Sequence, residues 1–126
     1  MPEIEYVAGS CNIGKGEIRR RQLVGLVGLF FTISLLITFS ATDATPGMRL
    51  TVFPPLFVAS IGFVQSRSKF CLAYGFAGTF NIGKIGEIKR VTSKEDRQAD
   101  RETALKILGK SFLLALLATG LVVVLL

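Results

Sequence analysis

The sequence predicts an all-α membrane protein with three transmembrane helices. Half of its 126 residues are hydrophobic, and its mean hydropathy is +0.53. The apolar residues are concentrated in three stretches, which lie at 23–41, 49–65 and 107–126. A helix that crosses the ~30 Å hydrocarbon core of a bilayer needs about 20 mostly apolar residues. We therefore predict three spans within a single membrane domain that covers residues 1–126.

The first stretch, 23–41, contains no charged residue and is long enough to cross by itself. A signal peptide is the alternative, because three arginines precede the apolar run. The run is longer than the apolar region of a normal signal peptide, and no good small-x-small cleavage site follows it. We therefore expect a retained membrane anchor.

The middle stretch, 49–65, is the shortest and contains Pro54 and Pro55. Proline breaks helices in water, but membrane helices tolerate it where neighbouring groups satisfy the freed carbonyls. Basic residues precede the first stretch and follow the middle stretch. If the middle stretch were a re-entrant hairpin, these two basic groups would lie on opposite sides of the membrane. This distribution favours a full crossing.

The last stretch crosses if it begins near Ile107 and if Lys110 extends its amine towards the lipid headgroups. Upstream, two overlapping capping boxes begin at Thr92 and Ser93, a pattern that is typical of helix starts. We expect one helix from there to the end of the chain. Its charged first half should project one to three turns into the cytoplasm.

The basic residues set the predicted orientation. The net charge is +6, which the positive-inside rule explains better than binding to nucleic acid. The basic residues before the first span are Lys15, Arg19, Arg20 and Arg21. Between the first and second spans the charged residues are Asp43 and Arg49, whereas ten basic residues follow the second span. We expect an N-in, C-out protein of the bacterial cytoplasmic (inner) membrane, with residues 66–109 in the cytoplasm.

Two stretches of the chain are nearly the same: residues 11–20 read CNIGKGEIRR, and residues 80–90 read FNIGKIGEIKR. Each is followed by a span that leaves the cytoplasm, as in a duplication about an axis along the membrane normal; chance resemblance is the alternative. We expect the two Asn-Ile-Gly-Lys copies, in 1–22 and 66–109, to form a small cytoplasmic cap. Its candidate contacts with a partner or with anionic lipid are Asn12, Gly14, Lys15, Glu17, Arg19, Arg20, Asn81, Gly83, Lys84, Glu87, Lys89 and Arg90.

Each copy contains the string G-x-x-x-x-G-K, but the residues that follow are Gly16 and Ile85 rather than Ser or Thr. A phosphate-binding P-loop needs that hydroxyl for magnesium, so we predict no nucleotide hydrolysis. Backbone N–H groups beside Lys15 or Lys84 could still form an anion-binding nest for lipid headgroups. Alternatively, the motifs are simple turns in which Gly supplies a positive φ.

Glu17 and Glu87 recur at equivalent places in the two copies. In one interpretation they clamp the copies together by ion pairs, Glu17 to Lys89 or Arg90 and Glu87 to Arg19 or Arg20. In the other they form exposed i,i+3 pairs within each copy, which contribute little to stability.

Cys11 and Cys71 are the only cysteines, and the chain has no histidine. Two thiols do not complete a zinc or iron–sulfur site, so we predict no metal and no cofactor. The two cysteines would face the reducing cytoplasm. They are either a candidate thiol pair or two small buried apolar residues.

The spans contain no Asp, Glu or His that would indicate proton or ion transport, and we find no catalytic constellation. Small residues indicate faces where helices approach closely: Gly25, Gly28, Ala59, Ser60 and Gly62. We predict a non-catalytic accessory subunit of a larger membrane complex, with lipids and other integral subunits, or further copies of itself, as partners. The alternative is a stand-alone redox or ligand sensor that uses the two thiols and the duplicated Gly-Lys loops.

Before its first span the chain contains Cys11-Asn12-Ile13-Gly14, Glu17-Ile18 and Arg19-Arg20-Arg21. This opening resembles that of an uncharacterised family of small bacterial multi-pass membrane proteins. Further along, the residues that carry the resemblance are Phe70-Cys71 and Phe80-Asn81-Ile82-Gly83, before a charged helix that runs into the last span. The resemblance covers most of the chain and implies no known activity. Lys15-Gly16 stands where a Pro-Ala-like pair is expected, so the start of the first helix should differ.

Overall fold

The computed structural model describes residues 5–83 and 86–126, which form three long helices with a group of loops and short elements at one end. In chain order the elements are α1 (Lys15–Ala41), α2 (Pro46–Arg49), the 3-10 turn Leu50–Val52, α3 (Phe53–Ser68), α4 (Leu72–Ala77), β1 (Thr79–Phe80), β2 (Lys89–Arg90) and α5 (Lys94–Leu125). β1 and β2 pair in antiparallel fashion. The sequence-based prediction of an all-α fold missed this short ladder.

Three helical segments are long and apolar enough to cross a membrane: α1, the segment Pro46–Ser68, and α5. They coincide with the three predicted stretches and indicate an integral membrane protein. The helices extend beyond the predicted spans, because α1 starts at Lys15 and α5 at Lys94, well before the apolar runs begin. These additional turns connect the loops to the apolar spans, and they contain the charged residues at the start of each helix.

The two prolines of the middle segment lie in the first turn of α3. An N–H group there has no partner inside the helix, so its absence costs little. The 3-10 turn Leu50–Val52 joins α2 directly to α3, and the path stays helical from Pro46 to Ser68. The prolines therefore begin a helix and do not interrupt one.

Helices α1 and α3 touch backbone to backbone, because both present glycine at their crossing. A Cβ atom on Gly28 would lie 2.6 Å from the Ala59 nitrogen, and one on Gly62 would lie 2.6 Å from the Gly25 nitrogen. Contacts this short exclude any side chain at those positions. The predicted close approach at these small residues is confirmed, and it occurs within the chain.

Helix α5 packs against the other face of α3. It is capped by Ser93, whose hydroxyl accepts a hydrogen bond from the Asp96 nitrogen at 3.4 Å, so the predicted cap at Ser93 is confirmed. Its 32 residues extend about 48 Å at 1.5 Å per residue, so it is longer than the ~30 Å hydrocarbon core. Its buried face contains Asp100, Ala104, Ile107, Ser111, Ala115 and Thr119.

Contacts at the two ends of the bundle fix how the chain is threaded. At one end, Arg49 Nη1 donates a hydrogen bond to the Val123 carbonyl at 2.9 Å, which joins the α1–α3 connection to the C-terminal end of α5. At the other end, the N-terminal segment meets the α3–α5 connection. The two motif copies therefore lie at the same end of the bundle.

Candidate functional site

The two motif copies contact each other through their backbones. Ile13 and Asn81 form a parallel β-bridge, in which the Gly14 N–H donates to the Asn81 carbonyl and the Asn81 N–H donates to the Asn12 carbonyl, both at 2.9 Å. We call this contact, made by Asn12, Ile13, Gly14, Cys71 and Asn81, the loop junction. All five residues are buried.

Asn12 ties the loop junction to the end of α3 and the start of α4. Its Nδ2 donates to the Cys71 carbonyl at 3.1 Å, and its Oδ1 accepts from the Cys71 N–H at 2.7 Å. The Asn12 N–H donates to the Lys69 carbonyl at 3.1 Å. Because the side chain is fully buried, these bonds satisfy polar groups that water cannot reach.

Gly14 brings the first copy close to the second. It is the residue before α1, with φ −94°, and a Cβ atom there would collide with the Ile82 carbonyl. The interpretation that Gly supplies a positive φ is therefore wrong at Gly14. Glycine is needed for the close approach of two backbones.

Glu17 is fully buried and pairs within its own helix. Its Oε2 lies 3.1 Å from Arg21 Nη2, and its Oε1 lies 3.9 Å from Arg20 Nη1. The predicted clamp from Glu17 to Lys89 or Arg90 is therefore not formed, and the alternative of an exposed pair is also wrong for Glu17. A carboxylate one turn before an arginine on the same helix face reaches it without help from the second copy.

Arg21 extends this polar cluster towards α4. Its Nη2 also donates to Cys71 Sγ at 3.0 Å, and its guanidinium lies over the Tyr74 ring, 6.0 Å from the centroid. Burial raises the pKa of the Tyr74 hydroxyl, and the nearby negative charge of Glu17 raises it further. Sequence reasoning singled out neither Arg21 nor Tyr74 for this cluster.

The N-terminal segment is held on α5 by Asp100, which sequence reasoning missed. Tyr6 Oη donates to Asp100 Oδ2 at 2.6 Å, and the Gly9 N–H donates to Asp100 Oδ1 at 2.7 Å. Thr103 Oγ1 donates to the Gly9 carbonyl at 2.7 Å. The Tyr6 ring also stacks on Phe80, with 4.4 Å between centroids, so this segment contacts the second copy as well.

The remaining candidate contacts are distributed around the loop junction. Lys15, Arg19, Arg20, Lys89 and Arg90 are exposed. A Cβ atom on Gly83 would collide with the Glu87 carboxylate, so Gly83 and Glu87 lie side by side within the second copy. Lys84 lies outside the described residues. The structure thus brings Asn12, Gly14 and Asn81 together and leaves these basic residues at the surface.

The two thiols are free and have different surroundings. Cys11 is half-buried, and its Sγ lies 3.6 Å from the Ile13 carbonyl. Burial raises the pKa of the Cys11 thiol. Cys71 is buried beside Arg21. Whether these cysteines act as a pair stays a prediction.

Metal ligands are not gathered in this region. Across residues 5–83 and 86–126, no group of three or more His, Cys, Asp or Glu side chains is placed to hold a metal ion. No known family model, curated protein or solved structure matches the chain.

Proposed function

We propose that the chain is a non-catalytic accessory subunit of a larger integral membrane complex. The observation that carries this proposal is the loop junction. Its polar groups are engaged with each other, through the two bonds of Asn12 to Cys71 and the bridge between Ile13 and Asn81. Such an arrangement holds the two motif copies together as one rigid unit, and it leaves the basic residues around them exposed for contact with a partner.

The proposed orientation is N-in and C-out in a bacterial cytoplasmic membrane. The end that carries both motif copies also carries the exposed Arg19, Arg20, Lys89 and Arg90. The opposite end has Asp43 and Arg49, and Arg49 is bonded to the end of α5. The positive-inside rule places the more basic end in the cytoplasm, where the paired motif copies form the proposed cap.

Partner helices would pack on the outer faces of α1 and α5. The glycines at the crossing of α1 and α3 already contact the neighbouring helix inside the chain. Large apolar side chains such as Phe30, Ile37, Phe112 and Leu117 are exposed. Lipid or a partner helix can cover those faces equally well. The basic cap surface would select the partner by charge, and a second copy of the chain could serve as that partner.

Purification in mild detergent tests this proposal. We expect the chain to co-purify with another integral membrane protein in a fixed ratio, or to be recovered as a homo-oligomer. The variant Lys89→Gln/Arg90→Gln should weaken that association. The matched control Lys106→Gln/Lys110→Gln removes two charges from the side of α5 and should leave the ratio unchanged. Recovery of a lone monomer with a bound small molecule would contradict the accessory-subunit proposal.

A stand-alone redox or ligand sensor is the second candidate, and one contact favours it. The Arg21 guanidinium lies 3.0 Å from Cys71 Sγ, so one of the two thiols is in contact with a charged side chain beside the duplicated loops. Burial of Cys71 and the raised pKa of Cys11 oppose easy oxidation. Alkylation and mass spectrometry under oxidising and reducing conditions separate the candidates: a reversible Cys11–Cys71 linkage would favour the sensor.

A further inference from the structure

A groove of about 640 Å³ lies between α4 and the N-terminal half of α5. One wall is formed by residues 75–78 of α4 and its end, and the other by α5 between Lys94 and Leu105. We call it the α4–α5 groove. It lies on a different side of α5 from the Asp100 contact with Tyr6, and it contains none of the residues of the loop junction.

Three basic side chains line the α4–α5 groove. Lys94, Arg97 and Arg101 lie on one helix face because they are three and four residues apart. All three are exposed. The ion pairs found within residues 5–83 and 86–126 are those of Glu17, so within that part of the chain these three cations have no anionic partner. Glu102 is the acidic residue in the lining.

The position of Arg97 is set by the end of α4. Gly78 follows α4 with φ +71°, and a Cβ atom there would lie 3.0 Å from Arg97 Cδ. Glycine therefore permits both the left-handed backbone and the close packing of the arginine stem. This packing of the aliphatic stem restricts the positions that the Arg97 guanidinium can take.

The same face of α5 becomes apolar towards the membrane. Leu105 lines the groove and is followed at helical spacing by Gly109, Phe112 and Leu116. Leu105, Phe112 and Leu116 are about half exposed, and a Cβ atom on Gly109 would meet open space. One continuous strip of surface thus passes from cationic to apolar along α5.

We propose that the α4–α5 groove binds an anionic phospholipid. The lipid phosphate sits among Lys94, Arg97 and Arg101: the two guanidinium groups match phosphate geometry, and the Lys94 ammonium adds a third positive charge. An acyl chain follows Leu105 and Gly109 into the bilayer. Charge complementarity and the cationic-to-apolar strip both select a lipid as the occupant. The inference goes beyond the proposed function and shares with it only the placement of α5 across the membrane.

Fluorescence quenching in nanodiscs tests the lipid site directly. The chain contains no tryptophan, so Leu105→Trp places a single reporter at the exposed membrane end of the groove. Phosphatidylglycerol with brominated acyl chains, added at low mole fraction to phosphatidylcholine, should quench this tryptophan more than brominated phosphatidylcholine does. Both leaflets of a nanodisc are accessible, so the result depends neither on orientation nor on a partner subunit.

Two charge variants make the test specific. In the reporter background, Arg97→Gln/Arg101→Gln should weaken the preference for the anionic lipid by roughly fivefold for each charge removed. Lys106→Gln/Lys110→Gln removes two charges from the same helix outside the groove and should keep the preference. Equal quenching by both lipids would overturn the proposal and leave the groove to an acidic segment of a partner protein. An equal loss in both variants would overturn it in favour of general attraction to the membrane surface.

Discussion

Asn12 joins the N-terminal segment to two later segments, at Cys71 and at Asn81, which are distant from it in sequence. Its backbone pairs with Asn81 and Lys69, and its side-chain amide forms both hydrogen bonds with the Cys71 peptide groups. An asparagine suits this place because one amide offers a donor and an acceptor side by side. At the residue scale, the loop junction depends on that amide.

Replacing Asn12 by Ala should destabilise the folded protein. The change leaves the buried Cys71 N–H without a partner, and an unsatisfied buried group costs about 1–3 kcal/mol. The Cys71 carbonyl loses one of two hydrogen bonds and keeps the one from the Gly75 N–H at 3.0 Å. We expect the free energy of unfolding in detergent, followed by circular dichroism during denaturant titration, to fall by about 1–3 kcal/mol. The exposed amide of Gln98 provides the control, since Gln98→Ala should change stability by less than about 0.5 kcal/mol. Equal stability of the two variants would contradict the assigned role of Asn12.

The contact between Tyr6 and Asp100 predicts a loss of stability at alkaline pH. Burial, together with the hydrogen bond to the Asp100 carboxylate, raises the pKa of Tyr6 above its ordinary value of 10.0. The folded protein therefore holds the Tyr6 proton more tightly than the unfolded chain does. The resulting stabilisation is fully present below pH 10 and is lost as the pH rises further.

Tyr6→Phe removes this proton and provides the comparison. Unfolding measured between pH 8 and about pH 11 should show that the wild-type protein loses stability more steeply above its unfolded pKa than the variant does. Tyr74, which also has a raised pKa, contributes to both proteins and cancels in the difference. Parallel stability curves would show that Tyr6 does not keep its proton through Asp100.

Some residue roles could be predicted from the sequence and others could not. The repeat predicted that Asn12, Gly14 and Asn81 belong together, and the structure brings them into contact. Glu17 was misjudged and Asp100 was missed, because an acidic residue in a charged segment is usually exposed. Glu17 pairs with Arg21, one turn further along the same helix, whereas the burial of Asp100 depends on Tyr6, which is distant in sequence. A periodic pattern does not reveal a tertiary partner of the second kind.

At the element scale, the crossing of α1 and α3 depends on glycine at both helices. Small residues at i and i+3 let the two backbones meet, and this signal was visible in the sequence. The buried strip of α5 was less visible, because its Ser111 and Thr119 do not resemble a hydrophobic core. The short β1–β2 ladder was also missed, since two-residue strands have no measurable alternation of polar and apolar residues.

Gly28→Leu should separate α1 from α3. A Cβ atom at Gly28 would already lie 2.6 Å from the Ala59 nitrogen and 2.9 Å from the Pro55 carbonyl oxygen, so a leucine forces the helices apart. We expect the free energy of unfolding to decrease by about 3 kcal/mol. Gly120→Leu is the matched control, because nothing lies within 4 Å of a Cβ atom there. If both variants keep wild-type stability in the same denaturant titration, the crossing is not formed as described.

At the scale of the whole molecule, the chain is a set of three helices with distinct ends. Hydropathy was sufficient to predict the three candidate spans, because α1, the segment Pro46–Ser68 and α5 are each long and apolar enough to cross a membrane. Charge distribution then predicted which end is cytoplasmic, and the position of both motif copies at one end is compatible with it. The contact between the two loops could not be predicted. It depends on the close approach of the Gly14 and Ile82 backbones, which composition and hydropathy do not indicate.

Labelling of single introduced cysteines with a membrane-impermeant maleimide tests the proposed threading most directly. Thr42→Cys places an exposed thiol after α1, and Lys89→Cys places one on β2; the wild-type protein, with only Cys11 and Cys71, gives the background. In intact cells we expect Thr42→Cys to react, and Lys89→Cys to react only after the membrane is permeabilised. Labelling of Lys89→Cys in intact cells, or of Thr42→Cys only after permeabilisation, would contradict the proposed N-in, C-out membrane protein.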